Sequence, residues 1–296
     1  MSELGAPNES GVCPLVRGLP FRIVNEPHAT MKPLITFLSL LSLATHVLAA
    51  KPELLWETSG FIAPESAVFD ASSQVIYVSN MGDHTKDAPA GDGFISRVSA
   101  DGKLLELKWV TGLDNPKGLA LANGRLYAGD DKDLVEIDLA SAKILARHAP
   151  ADGPGAFNDC TADPDGNVYV CSGRLHTVFR LHQGKFEPWA KLDRAKTGGI
   201  NGLRAEKDRL LLGGWSVRDA EGKEQLGHLS TIAYRDQSLG RLGTQPICHI
   251  DGIESDGADG YTVTDWLTGD VLHVTADGKA TPITPTSRAS SSSSYR

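Results

Sequence analysis

Five times between residues 64 and 266 the chain repeats one unit: an entering turn, a short strand, a Gly/Asp-rich turn and a second strand. The copies read PESAVFDASSQVIYVSN from Pro64, PKGLALANGRLYAGD from Pro116, FNDCTADPDGNVYVCS from Phe157, INGLRAEKDRLLLGGW from Ile200 and IDGIESDGADGYTVTDW from Ile250. A hairpin that recurs at this period cannot bury its apolar face alone and must stack on its neighbours, which restricts the chain to repeat architectures.

Further strand-like pieces follow the hairpins, such as GFISRVS and LLELKWV, DLVEIDL and KILARHA, TVFRLHQ and KFEPWA, and DVLHVTA and TPIT. Four strands per unit is the count for a propeller blade. β-Branched and aromatic residues cluster in the short runs and helical periodicity is absent from them, so an α/β arrangement is excluded. The expected fold is an all-β propeller of four-stranded antiparallel blades; a further step beyond Asp251 has no room for another full unit, so the ring has either five blades or six with the last blade truncated. KPELLWETSGF, residues 51 to 61, is the one source of an extra outer strand.

The propeller is expected to span residues 51–286. Before it, MKPLITFLSLLSLATHVLAA, residues 31–50, has a positive start, an apolar run and small residues at its end, the layout of a secretory signal and too short an apolar run for a membrane span. Residues 1–30 carry no periodicity and read as a leader outside the functional chain, with translation expected from Met31. Residues 287–296 are Ser-rich and read as a disordered tail. The mature protein is therefore expected to be exported, periplasmic or secreted, and free of the membrane after cleavage. A net charge of −8 argues against a nucleic-acid partner, which would require an excess of Lys and Arg.

In an antiparallel blade the loop entering the first strand and the loop joining the second to the third emerge on one face. The entering positions are Glu65, Lys117, Asn158, Asn201 and Asp251, at intervals of 52, 41, 43 and 50 residues. One Glu, two Asn and one Asp from different blades would converge on the axis. Their oxygens suit a hard divalent cation such as Ca²⁺, whereas zinc would favour His and Cys. Asn and Asp are also common turn formers, and each alone fits that role.

The phrases PESAVFD, FNDCTADPDGNVYV, INGLRAEKDRLLLGG and DGIESDGADGYTVTDW resemble the gluconolactonase/regucalcin-like family of six-bladed propellers, related in architecture to paraoxonases. The resemblance implies a divalent cation, usually calcium, on the axis and hydrolysis of lactones or other esters. It implies that Glu65, Asn158, Asn201 and Asp251 are the metal set, with Asn158 contacting either metal or substrate. Asp251 would also serve as base, with His84, on the long loop NMGDHTKDAPAGDG, as the other proton acceptor. Asp159, Asp130, Trp215 and Trp266 are the candidate substrate-binding residues for a small molecule, the two Trp fitting equally as packing between blades. A propeller does not fix function, and the alternative is a non-catalytic, metal-containing propeller that binds a ligand or protein.

With Cys13 in the leader, Cys160, Cys171 and Cys248 remain. A two-residue turn at Asp165-Gly166 places Cys160 opposite Cys171 and predicts a disulfide between them; a longer turn through Pro164 shifts that register.

Overall fold

The alternating runs become strands throughout the computed structural model, which describes residues 54–83 and 90–283. Blade one contains β1 (Pro64–Asp70), β2 (Val75–Asn80), β3 (Gly93–Ser99) and β4 (Leu104–Leu113); blade two contains β5 (Leu119–Ala122), β6 (Arg125–Gly129), β7 (Leu134–Asp138) and β8 (Ile144–His148). Blade three contains β9 (Phe157–Ala162), β10 (Val168–Ser172), β11 (Thr177–His182) and β12 (Lys185–Lys191). A single helical turn, α1 (Arg194–Thr197), capped by the Asp193 side chain, leads to blade four. There β13 (Ile200–Ala205) and β14 (Arg209–Gly214) are followed by an inserted hairpin, β15 (Ser216–Arg218) and β16 (Glu224–Leu226), before β17 (Leu229–Ala233) and β18 (Leu239–Arg241). Blade five contains β19 (Ile250–Ser255), β20 (Tyr261–Asp265), β21 (Val271–Val274) and β22 (Ala280–Pro282).

Each blade is a four-stranded antiparallel meander, and the inserted hairpin forms its own two-stranded sheet. The fold is thus a β-propeller with five blades in the described residues, consistent with a truncated sixth. Four apolar layers hold it together, one between each pair of consecutive blades. Ile95, Leu113 and Leu126 join blades one and two; Tyr127, Phe157 and Val170 join two and three. Cys171, Ile200 and Leu212 join three and four, and Leu211, Ile250 and Val263 join four and five. By contrast, Phe69 of β1 is 48% exposed. Residues 54–61 form no strand, correcting the expectation of an outer strand there. They instead lie along blade one, where Trp56 Nε1 donates to the Ala100 carbonyl at 3.1 Å and the Ile62 amide donates to Asn80 Oδ1 at 3.0 Å.

The expected disulfide does not form: Cys160 and Cys171 are both free and buried. The turn between β9 and β10 closes through Pro164, with the Gly166 amide donating to the Asp163 carbonyl and Gly166 at φ 81°. A three-residue loop ending in a left-handed glycine pairs Cys160 with Val170, so Cys171 lies on the other face of the sheet. Cys160 packs against blade two and Cys171 against blade four. Burial pushes both thiols well above their ordinary range, keeping them protonated. Unreduced protein, unfolded in denaturant and treated with iodoacetamide, is therefore expected to be alkylated at both positions in peptide mapping. A 160–171 cross-linked peptide would contradict the register.

Candidate functional site

Four inner strands share one irregularity at the same place. In β1, Pro64 pairs with Asn80 and Ala67 with Val78; in β9, Phe157 pairs with Ser172 and Cys160 with Val170. In β13, Ile200 pairs with Gly214 and Leu203 with Leu212, and in β19, Ile250 pairs with Asp265 and Ile253 with Val263. Each inner strand carries one more residue than its partner over this interval, which is a β-bulge. The bulge lets apolar residues three apart, Phe157 and Cys160 or Ile250 and Ile253, enter the same inter-blade layer. It thereby releases the pair between them from strict alternation. Glu65, Asn158, Asn201 and Asp251 are the first residues of these released pairs.

In blades one and five the bulge is fixed by a short polar side chain from the second strand. Ser79 Oγ accepts the Ser66 amide at 2.9 Å, and Thr264 Oγ1 accepts the Gly252 amide at 2.8 Å. In blade three Cys171 stands at the corresponding place but donates its thiol across to the Asn201 carbonyl of blade four at 2.8 Å, and in blade four Gly213 stands there. The tripeptides VSN and VTD at the ends of β2 and β20 are the sequence signal of this device, which reading each polar residue singly overlooks.

Glu65, Asn158, Asp159 and Asp251 line one channel of about 700 Å³, whose walls continue through Phe69, Leu121 and Glu254. Asn201, only 5% exposed, links two of them. Asn158 Nδ2 donates to Asn201 Oδ1, and Asn201 Nδ2 donates to Asp251 Oδ1 at 2.6 Å. This chain of side-chain hydrogen bonds crosses blades three, four and five. Burial, reinforced by the negative charge of Asp251 and opposed by Lys117, pushes the Glu65 carboxyl up to about 7. Burial also raises Asp251, against the stabilising hydrogen bond from Asn201. Lys117 thus supplies a positive charge at the place where the other four blades supply oxygen.

Asp159 is raised well above the ordinary carboxylate range by burial, despite accepting the Leu203 amide at 2.7 Å and the Cys160 amide at 2.9 Å. Both its oxygens are engaged by backbone, so it ties blade three to blade four while lining the channel. Asp130, expected to meet substrate, is fully buried instead. Its carboxylate accepts the amides of Asp114, Asn115 and Asp131, at 2.9, 2.5 and 2.9 Å, which fixes the crossing from blade one to blade two. Trp215 and Trp266 meet at 4.7 Å between ring centroids, on the loops that follow β14 and β20. His84 lies outside the described residues, as do residues 1–50 with the signal segment and residues 287–296.

Among the described residues no three His, Cys, Asp or Glu side chains close on one point. The converging set is two carboxylates and two amides. That chemistry fits a hard divalent cation bound through oxygen, with further places for water or substrate, and does not fit zinc. A cation between these groups offsets the cost of burying the Glu65 charge and relieves the repulsion from Asp251 that adds to it.

Comparison with solved structures supports the fold. The chain is similar to a protein in the crystal structure of a nidogen/laminin complex, at 17% identity and a TM-score of 0.52, over 72% of this chain and 76% of that one. It is similar to virginiamycin B lyase from Staphylococcus aureus at 14% identity and 0.52, over 74% and 69%. It is also similar to a gluconolactonase from Xanthomonas campestris at 16% identity and 0.55, over 75% of both chains. No protein-family model and no curated protein matches the chain. At these identities the likeness is one of fold: this chain shares its propeller architecture with a gluconolactonase and with proteins of other functions.

Proposed function

We propose that the chain is a divalent-cation-dependent hydrolase of lactones or related esters, working at the channel end built by Glu65, Asn158, Asn201 and Asp251. The observation that carries this reading is the convergence of oxygen donors from separate blades, with Asn201 joining Asn158 to Asp251. The fold likeness to a gluconolactonase agrees with it, while the lyase neighbour shows that the propeller alone does not decide the chemistry.

Glu65, Asn158, Asn201 and Asp251 would hold the cation, most consistently Ca²⁺. When bound, it supplies polarisation of the substrate carbonyl and stabilisation of the developing oxyanion. Asn201 orients Asp251 by donating to Oδ1, leaving Oδ2 to accept a proton from water. The hydroxyl oxygen of that water bonds to the carbonyl carbon, the carbon–oxygen ester bond breaks, and the departing alkoxide takes back the proton held on Asp251, leaving an acid and an alcohol, joined in one hydroxy acid when the substrate is a lactone. Backbone hydrogen bonds hold Asp159 beside this step, where it shapes the wall against which substrate rests.

Metal analysis and a hydrolysis screen on the purified chain test this reading directly. About one divalent cation per chain is expected, with lactone hydrolysis that disappears on chelation and returns with Ca²⁺. Retained cation with no turnover across lactones, aryl esters and phosphotriesters would establish the non-catalytic propeller instead.

A further inference from the structure

An aromatic ladder of three rings joins the loops that follow β14 and β20 to the segment before β19. His249 meets Trp215 edge-to-face at 5.6 Å between centroids, and Trp215 meets Trp266 at 4.7 Å with the planes tilted by 56°. Trp266 ends the ladder and is 58% exposed, and Leu267 beside it is 59% exposed. Large apolar side chains left open in this way are informative when they cluster.

The exposed ring is held in place rather than left on a loose loop. The Trp266 amide donates to the His249 carbonyl at 3.1 Å, Asp265 Oδ1 accepts the Leu267 amide at 3.0 Å, and the Gly269 amide donates to the Asp265 carbonyl at 2.8 Å. From the other side, the Gly227 amide donates to the Cys248 carbonyl at 2.9 Å, which ties the end of the inserted hairpin to the segment carrying His249. A ring fixed before a ligand arrives loses little freedom on binding.

The surrounding charge narrows the ligand. Asp265 Oδ1 lies 3.6 Å from His249 Nδ1, and Glu224 Oε1 lies 4.0 Å from Nε2. Arg218 of the inserted hairpin donates to the Gly222 carbonyl and stands 3.9 Å from Glu224. Two carboxylates at the base of the ladder disfavour an anion, and indole faces favour a flat apolar partner in offset or edge-on contact. Thr264, which lines the channel near the end of β20, precedes Trp266 by two residues.

We infer that Trp266, backed by Trp215 and His249, is a subsite for an uncharged planar ring, the aryl portion of an ester or lactone whose carbonyl enters the adjacent channel. The assignment to an ester or lactone rests on the hydrolase reading; the ring site itself does not.

Two measurements separate these. Calorimetric titration with 2-naphthol, which cannot be hydrolysed, is expected to show saturable binding to the wild-type chain, at least tenfold weaker in Trp266→Ala and largely kept in Trp266→Phe. Because Trp266 is more than half exposed, both variants are expected to fold, as checked by circular dichroism. Absence of saturable binding, or equal binding in Trp266→Ala, overturns the subsite whether or not the protein is an enzyme. In the kinetic arm, Trp266→Ala is expected to raise KM for dihydrocoumarin at least fivefold while leaving KM for δ-valerolactone unchanged, since the two differ by the fused ring. Equal effects on both lactones would overturn the role in substrate selection. Binding of naphthol without hydrolysis of either lactone would sustain the ring site and remove the hydrolase reading alone.

Discussion

Asp251→Ala is expected to lower lactone turnover by on the order of 10²–10⁴-fold, the range associated with losing a positioned proton acceptor, and to strip the cation in the same step. The two losses belong together because one carboxylate serves both purposes. Its Oδ1 is the end of the hydrogen-bonded line from Asn158 through Asn201, and its charge acts on Glu65 across the channel. Glu65→Gln keeps the size and one oxygen but removes a negative charge. It is expected to weaken cation binding by more than about tenfold while leaving turnover at saturating cation closer to wild type, since the proton acceptor remains. Metal content after dialysis and kcat at a series of Ca²⁺ concentrations separate the two outcomes. Full activity and full metal content in both variants would remove the proposed centre.

Stability should not follow the same pattern. Glu65 and Asp251 are raised above their ordinary range, so their burial as charges costs free energy in the absence of a cation. Relieving that cost by substitution is expected to leave the fold intact, which makes these variants clean tests of function.

The blades were legible because each depends on local signals: alternation along a strand, a glycine turn and a repeat of fairly constant length. The identity of the converging residues was legible for the same reason, as their place in the repeat is a place in space. What converts that place into a site is the bulge, and a bulge is a property of two strands counted against each other. Ile250-Asp251-Gly252-Ile253 reads as four consecutive strand residues until Val263-Thr264-Asp265 is set opposite, one residue short. The same counting decided the cysteines, where one added loop residue moved Cys171 from the face of Cys160 to the opposite face. Asp130 was misread for a different reason. Its position on a loop at the channel face was right in kind, but the three amides that bind its carboxylate come partly from the preceding blade crossing, which no local pattern reveals.

Phe157→Ala should be among the most destabilising single changes, costing about 3–5 kcal/mol as expected for truncating a fully buried Phe. Phe157 is 0% exposed and meets Phe179 and Phe186 edge-to-face, at 5.5 and 5.9 Å between centroids. It enters the layer between blades two and three immediately before the bulge, so it fixes β9 at the point where Asn158 is released toward the channel. A cavity there takes away packing and the anchor of the bulge together. Phe69 supplies the internal comparison: it is the same residue type on the corresponding inner strand of blade one, but it is 48% exposed, and Phe69→Ala is expected to cost about 1 kcal/mol or less. Equilibrium urea unfolding of the two variants should therefore show a large drop in midpoint for position 157 and a small one for position 69. Equal drops would mean that Phe69 is covered in solution as Phe157 is.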